Sequence, residues 1–313
     1  MIDLSVELCG VCLRNPLVLA AGILGTSAEL LERVARSGAG AVTTKSFGPE
    51  PREGYPNPTV LDWGHGLINA IGLANPGLEE GVRIIARARE RLDPLGVPLI
   101  ASIFAETVEG FARMAFRMSE AGPALIEVNI SCPHVGAVSG FASDPSSAGR
   151  VTTAVRRATA LPVVVKLSPN VPDIAAIARA VEEAGADAIS AVNTVGPGMV
   201  IDVYSGRPIL ANRVGGISGP AIKPIAVRCV YEICQAVRIP VIGMGGVTTG
   251  LDAVEMIMAG ATAVGIGSAI YYRGVGVFED ILGEMTAFMA EQGYERPADF
   301  RGMAHERWSA SAS

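Results

Sequence analysis

Lys166 ends an otherwise apolar run, Val163-Val164-Val165-Lys166-Leu167. An ammonium there is costly to bury without an anion beside it. The partner can be a carboxylate, a phosphate, or a ring that gains negative charge on reduction, as a flavin does at its N1–C2 edge. Lys45, in Thr43-Thr44-Lys45-Ser46, could pair with such a ring or with a substrate carboxylate. The structural alternative is an internal Lys–Glu pair. Asn69, Asn129 and Asn193 each both donate and accept hydrogen bonds. That suits a planar ring of alternating carbonyl and N–H groups, as in pyrimidines, and it also suits loop capping. Cys132, in Asn129-Ile130-Ser131-Cys132-Pro133-His134, offers a thiol as base or nucleophile. With His134 close by, a cysteine hydrolase is a competing reading, although no third orienting group accompanies the pair. A small buried residue is the plain alternative for Cys132.

Two glycine-bearing turns follow apolar runs: Gly243-Met244-Gly245-Gly246 and Gly265-Ile266-Gly267-Ser268. Glycines there let backbone N–H groups approach a phosphate at a helix N-terminus. Each turn alone is also an ordinary strand–helix join. Neither satisfies G-x-G-x-x-G, so a Rossmann nucleotide site is disfavoured. Cys9 and Cys12 have C-x-x-C spacing with no second pair. They read as packing residues separated by a hairpin turn rather than as zinc ligands.

The elements that must position these residues are eight short apolar runs, at 17–21, 41–44, 98–104, 125–130, 162–167, 188–192, 240–243 and 263–266. Their continuous hydrophobicity predicts strands covered on both faces, as in parallel sheets. Helical patterns lie between them, at 27–37, 173–184, 221–237 and 251–259 among others, and several end at a glycine (Gly38, Gly185, Gly260). Eight alternations predict an α/β fold, a closed (β/α)8 barrel, with a doubly wound open sheet as the alternative. The polar and glycine residues above fall at the C-terminal ends of the runs, so a barrel gathers them at one mouth.

Three segments break the rhythm. Residues 4–14 predict a β-hairpin plugging the N-terminal end of the barrel. Residues 47–75, after the second strand, and 195–218, after the sixth, predict long insertions over the active face. A third, shorter insertion follows the fourth strand, where residues 135–144 are small and polar enough for a lid. No linker divides the chain, so residues 1–313 read as one domain.

Net charge is −6, with no long basic run, which disfavours nucleic acid. No apolar stretch approaches the roughly 18 residues of a membrane span, and no secretory signal is visible. Five scattered cysteines do not form a disulfide framework, so a reducing cytoplasm fits.

The phrases NPLVLAAG, TTKS, NAIGLANPG, EVNISCP, VKLSPN, AVNT, GGISGPAIKP, IGMGGV and AGATAVGIGSA occur in this order between Asn15 and Gly274. In this set the chain resembles the class 1 dihydroorotate dehydrogenases, and its 198–233 stretch is most similar to the class 1B catalytic subunit. The resemblance implies oxidation of (S)-dihydroorotate to orotate in pyrimidine synthesis. Cys132 would remove the C5 proton and hydride would pass from C6 to N5 of FMN. Lys45, Asn69, Ile71, Gly72, Leu73, Asn129, Asn193 and Thr194 would hold substrate. Ala21, Gly22, Lys45, Ser46, Asn129, Lys166, Ser218, Gly219, Gly245, Gly246, Gly267 and Ser268 would hold FMN. His134 departs from the pattern, because many relatives carry a substrate-binding asparagine there. The resemblance also implies a homodimer within a heterotetramer, whose second subunit carries FAD and a 2Fe–2S cluster and delivers electrons to NAD. A dihydropyrimidine dehydrogenase-like enzyme and a non-redox phosphate-binding barrel, such as an isomerase or aldolase, are the remaining alternatives.

Overall fold

The computed structural model describes residues 2–131 and 136–305, with side chains from Gly140 onward in the second stretch. The eight barrel strands are β1 (Leu17–Leu19), β2 (Ala41–Thr43), β3 (Leu99–Ile103), β4 (Leu125–Asn129), β5 (Val163–Leu167), β6 (Ala188–Ala191), β7 (Val241–Met244) and β8 (Ala263–Ile266). They pair in parallel in sequence order, and β8 closes on β1, so the sheet is a (β/α)8 barrel. The open-sheet alternative is excluded.

Every barrel strand is buried on both faces. Inward residues Val18, Ala41, Ile100, Leu125, Val164, Ala188, Ile242 and Ala263 form one cluster with Leu8 and Leu13. Outward residues join the helices in a second, larger cluster. Leu8 and Leu13 come from the hairpin Val6–Leu8/Val11–Leu13, which therefore plugs this end of the barrel. Its two-residue turn places Cys9 at φ 53 and Gly10 at φ 78, the left-handed pair that matches strand twist. Cys9 lies in this turn, while Cys12 sits in the hairpin's second strand and is exposed rather than packed. The Cys9 thiol donates to the Asp187 carbonyl, and burial, then the nearby Asp187 charge, push its pKa up to about 12.

The helices start where the capping signals lie. Ser27, Asp173 and Thr249 each accept a backbone N–H from the first turn of the helices Ala28–Arg36, Ile174–Glu183 and Gly250–Met258. The strands stop one or two residues short of several predicted ends, at 20–21, 44, 130 and 192, although Ala20, Thr44 and Val192 still each donate one N–H to the neighbouring strand. At the mouth the chain must turn outward into a loop, which hydrophobicity alone does not register.

The two long insertions are not independent loops. Val60–Asp62, Leu67–Asn69, Gly215–Ser218 and Val195–Gly198 form one four-stranded antiparallel sheet, with Gly216 opposite Asn69 and Ser218 opposite Leu67. This sheet has a small core of its own, Ile68, Ala70 and Leu210, backed by Tyr55, Leu61, Val200 and Ile217. A Cβ at Gly216 would lie 2.1 Å from Thr194 Oγ1, so only glycine fits where the sheet meets the mouth. After β4 the chain runs as a helix, Gly136–Ser143, whose Phe141 packs edge-on against Phe111 at 5.8 Å. Among the described residues no helix is long and apolar enough to cross a membrane.

Candidate active site

A cavity of about 430 Å³ opens at the C-terminal ends of the barrel strands, beside the insertion sheet. The volume lies in the range of small-molecule and cofactor sites. Each element contributes. Ala21 and Gly22 follow β1, Lys45 and Ser46 follow β2, and Asn69, Ile71, Gly72 and Leu73 belong to the first insertion. Asn129 ends β4, Lys166 lies in β5, and Asn193 and Thr194 follow β6. Ser218 and Gly219 come from the second insertion, Gly245 and Gly246 follow β7, and Gly267 and Ser268 follow β8. Every site residue expected from sequence thus lines one cavity, apart from Cys132. Cys132 and His134 lie outside the described residues. Apolar walls come from residues that the sequence did not single out, among them Val60, Leu67, Val192, Ile222, Met244 and Tyr271. An apolar residue facing a ligand reads like one facing the core.

Lys166 is only 5% exposed and makes no hydrogen bond or ion pair with a described residue. The internal Lys–Glu alternative does not apply to it: Glu127, inside the barrel, instead accepts from Ser102 Oγ and Ser190 Oγ, each at 2.9 Å. A buried ammonium with no anion beside it among the described residues fits an anionic or charge-accepting ligand.

The two glycine turns fit a phosphate. Among the described residues, the backbone N–H groups of Gly245, Gly246, Gly267 and Ser268 have no protein acceptor. Gly246, at φ +78, is packed so tightly that a Cβ would lie 2.8 Å from Lys223 N and 2.9 Å from Gly219 O. At Gly267 the nearest atom to such a Cβ is 3.8 Å away, so space remains for a ligand. Behind the β7 turn, Asp252 accepts from Thr248 N, Thr248 Oγ1 and Thr249 N at 2.9 Å and from Lys223 Nζ at 2.7 Å. Burial alone would raise the Asp252 carboxyl; the Lys223 ammonium and the Thr248 and Thr249 donors outweigh it and hold it at about 2. This clamp fixes the turn whose Gly245 and Gly246 line the cavity.

The amides form a connected set. Asn129 Nδ2 donates to Ser46 Oγ at 3.2 Å, Ser131 Oγ donates to Asn129 Oδ1 at 3.0 Å, and Asn193 Nδ2 donates to Ser131 Oγ at 2.8 Å. Asn69 Nδ2 reaches Gly216 O at 3.3 Å, tying the insertions together. Two further asparagines do work that the sequence reading missed. Asn170 donates to Thr194 O at 3.0 Å and accepts from Gly196 N at 2.9 Å, anchoring the second insertion.

Asn75 holds the first insertion. Its Oδ1 accepts from Gly48 N at 3.0 Å and Gly77 N at 2.8 Å, and its Nδ2 donates to Leu73 O at 2.9 Å. Gly72 and Leu73 adopt left-handed φ of 74 and 58. The local signal was Asn75-Pro76-Gly77, a turn sequence inside a family phrase. Asn75→Ala is expected to leave three buried backbone groups unsatisfied and to cost about 2–4 kcal/mol of stability. Substrate KM should rise more than kcat falls, because the loop bearing Gly72 and Leu73 loosens. Thermal melting and steady-state kinetics check this; an unchanged KM would count against the role.

Among the described residues no group of three or more His, Cys, Asp or Glu side chains could hold a metal ion.

Comparison with known proteins is consistent with this geometry. The sequence profile described as dihydroorotate dehydrogenase matches residues 3–289. The chain is 47% identical over 305 residues to the dihydroorotate dehydrogenase B (NAD(+)), catalytic subunit, of Methanothermobacter thermautotrophicus, covering 97% of this chain and 99% of that protein. It is 49% identical over 305 residues to the protein of that name from Methanosarcina mazei, covering 97% and 96%. It is 46% identical over 302 residues to that of Pyrococcus abyssi, covering 96% and 99%. The chain belongs to the dihydroorotate dehydrogenase family.

Proposed function

We propose that the chain oxidises (S)-dihydroorotate to orotate with FMN as its bound cofactor, as the class 1B catalytic subunit of a larger enzyme. One observation carries the reading: a single cavity joins a buried ammonium and four backbone N–H groups, none with a partner among the described residues, and three amide side chains. FMN, when bound there, supplies the acceptor for the hydride that leaves C6 of the substrate.

The protein's residues do the rest. Gly245, Gly246, Gly267 and Ser268 hold the phosphate through their N–H groups. Lys166 would favour negative charge on the bound ring, and Ala21, Gly22, Ser46, Ser218 and Gly219 would complete the cofactor's surroundings. Asn69, Asn129, Asn193 and Thr194 bind the pyrimidine, whose carbonyl and N–H groups match amides. Lys45 serves the ring system and the substrate carboxylate, and the Ile71–Leu73 loop covers the substrate. Cys132 takes the C5 proton as a general base. A partner subunit carrying FAD and a 2Fe–2S cluster would supply the route for electrons to NAD, within a heterotetramer built on a homodimer. The NAD(+)-linked, catalytic-subunit names of the relatives support this.

Anaerobic addition of dihydroorotate to the yellow purified protein tests the reading. The flavin band is expected to bleach, with orotate but not uracil competing. A colourless protein would favour a non-redox barrel, and bleaching by dihydrouracil in place of dihydroorotate would favour a dihydropyrimidine dehydrogenase.

A further inference from the structure

Glu127 is 2% exposed and no cation lies within ion-pair distance of it among the described residues. A buried carboxylate left without a cation is expensive. As a counter-ion it would be wasted, since Lys166, on the neighbouring strand β5, is not paired with it. Its surroundings give it another use.

Each Glu127 oxygen accepts a serine hydroxyl, from Ser102 and from Ser190, both at 2.9 Å. A hydroxyl has one proton to give. Ser102 spends its proton on Glu127, so at 2.8 Å it must accept from Ser46. Ser46 has then spent its own proton, so at 3.2 Å it must accept from the Asn129 amide nitrogen. The other end of the Asn129 amide agrees: the backbone N–H of Ser131, which can only donate, reaches Oδ1 at 3.2 Å, and Ser131 Oγ donates to Oδ1 at 3.0 Å. Ser131 in turn must accept from Asn193 Nδ2 at 2.8 Å, and Asn193 Oδ1 accepts from Thr194 N at 2.8 Å. Every donor in the run points back toward one carboxylate. Ser190, the other branch, does not line the cavity.

We infer that Glu127 is a positioning residue: its buried carboxylate orders the Ser102 and Ser46 hydroxyls so that Ser46 presents a lone pair to Asn129 Nδ2, while Ser131 N holds Asn129 Oδ1, and Asn129 is thereby fixed to offer its remaining N–H to an acceptor oxygen of the bound ligand. The inference rests on the reading of Asn129 as a pyrimidine ligand. A carboxylate in the middle of the barrel strand, two residues before Asn129, thereby helps to set the hydrogen-bonding face that the mouth presents. Replacing it by an amide introduces a donor at the root, and the Ser102–Ser46 hydroxyl arm can then reverse, setting the Ser46 proton against the Asn129 N–H, which Ser131 N keeps in place by donating to Asn129 Oδ1.

The test uses the FMN-loaded protein with orotate as probe. Its dissociation constant is read both from the shift of the flavin absorption band and by calorimetry, beside thermal melting. Glu127→Gln and Ser102→Ala are each expected to weaken orotate binding at least tenfold, since either lets the Ser46 hydroxyl turn its proton toward the Asn129 N–H and displace it. Ser190→Ala cuts the branch that does not reach the mouth; it should lower the melting temperature but change orotate binding less than threefold. Should Glu127→Gln fail to fold, the contrast between Ser102→Ala and Ser190→Ala decides alone. Equal loss of binding in the two serine variants, or wild-type affinity in Glu127→Gln, would overturn the inference and leave the proposed function standing. Failure of the wild-type protein to bind orotate would sink that function instead.

Discussion

Cys132→Ala is expected to slow anaerobic flavin reduction by dihydroorotate about 10²–10⁴-fold, the usual contribution of a positioned general base. FMN content and orotate affinity should stay within a few-fold of wild type, because the amides and free N–H groups that bind them are carried by other strand ends. An unperturbed thiol has a pKa near ~8.5, so the reduction rate of the unaltered protein should rise with pH through the thiol's own ionisation and level off above it. His134→Ala separates the two candidate bases. It should weaken substrate binding at most, with the pH limb retained. If His134→Ala abolished reduction while Cys132→Ala spared it, the base would have to be reassigned to the imidazole.

Lys166→Met is expected to act in opposite directions on the empty and loaded protein. In the absence of ligand, the substitution removes a buried charge that no described side chain neutralises. The apoprotein should therefore be no less stable, and its melting temperature the same or higher. In the loaded protein the ring loses the cation that favours its reduced form. Flavin reduction should slow by about 10²-fold and the midpoint potential should fall, in line with losing one preorganised electrostatic group. Stopped-flow reduction, potentiometry and melting of the apo form check both halves. A large loss of apoprotein stability would mark Lys166 as structural and contradict its assignment to the cofactor.

The parts of this site that the sequence made legible are those in which a residue type conflicts with its surroundings. Lys166 at the end of a valine run and glycines at two consecutive strand ends have no comfortable reading as core, and the structure brings both to one cavity. The eight-strand barrel followed from the same logic, since parallel strands buried twice leave an unbroken apolar trace. What stayed hidden is cooperative. That the insertions at 47–75 and 195–218 would pair as one sheet depends on contacts about 150 residues apart, such as Gly216 opposite Asn69, which no local pattern records. Asn75 and Asn170 look like loop caps in sequence, and they are, but the loops they cap form the wall of the site. Glu127 sits in an apolar run as Lys166 does, in Leu125-Ile126-Glu127-Val128-Asn129, yet its role appears only when its hydroxyl partners on β3 and β6 are known.

The central claim is that the eight strand ends hold FMN and a pyrimidine in one cavity. A crystal structure of the protein grown with FMN and orotate tests it most directly. The account predicts the phosphate on the N–H groups of Gly245, Gly246, Gly267 and Ser268, the ring beside Lys166, and orotate between the ring and Asn129 and Asn193. Orotate bound away from this mouth, or a phosphate seated elsewhere with Lys166 still without an anion, would contradict it.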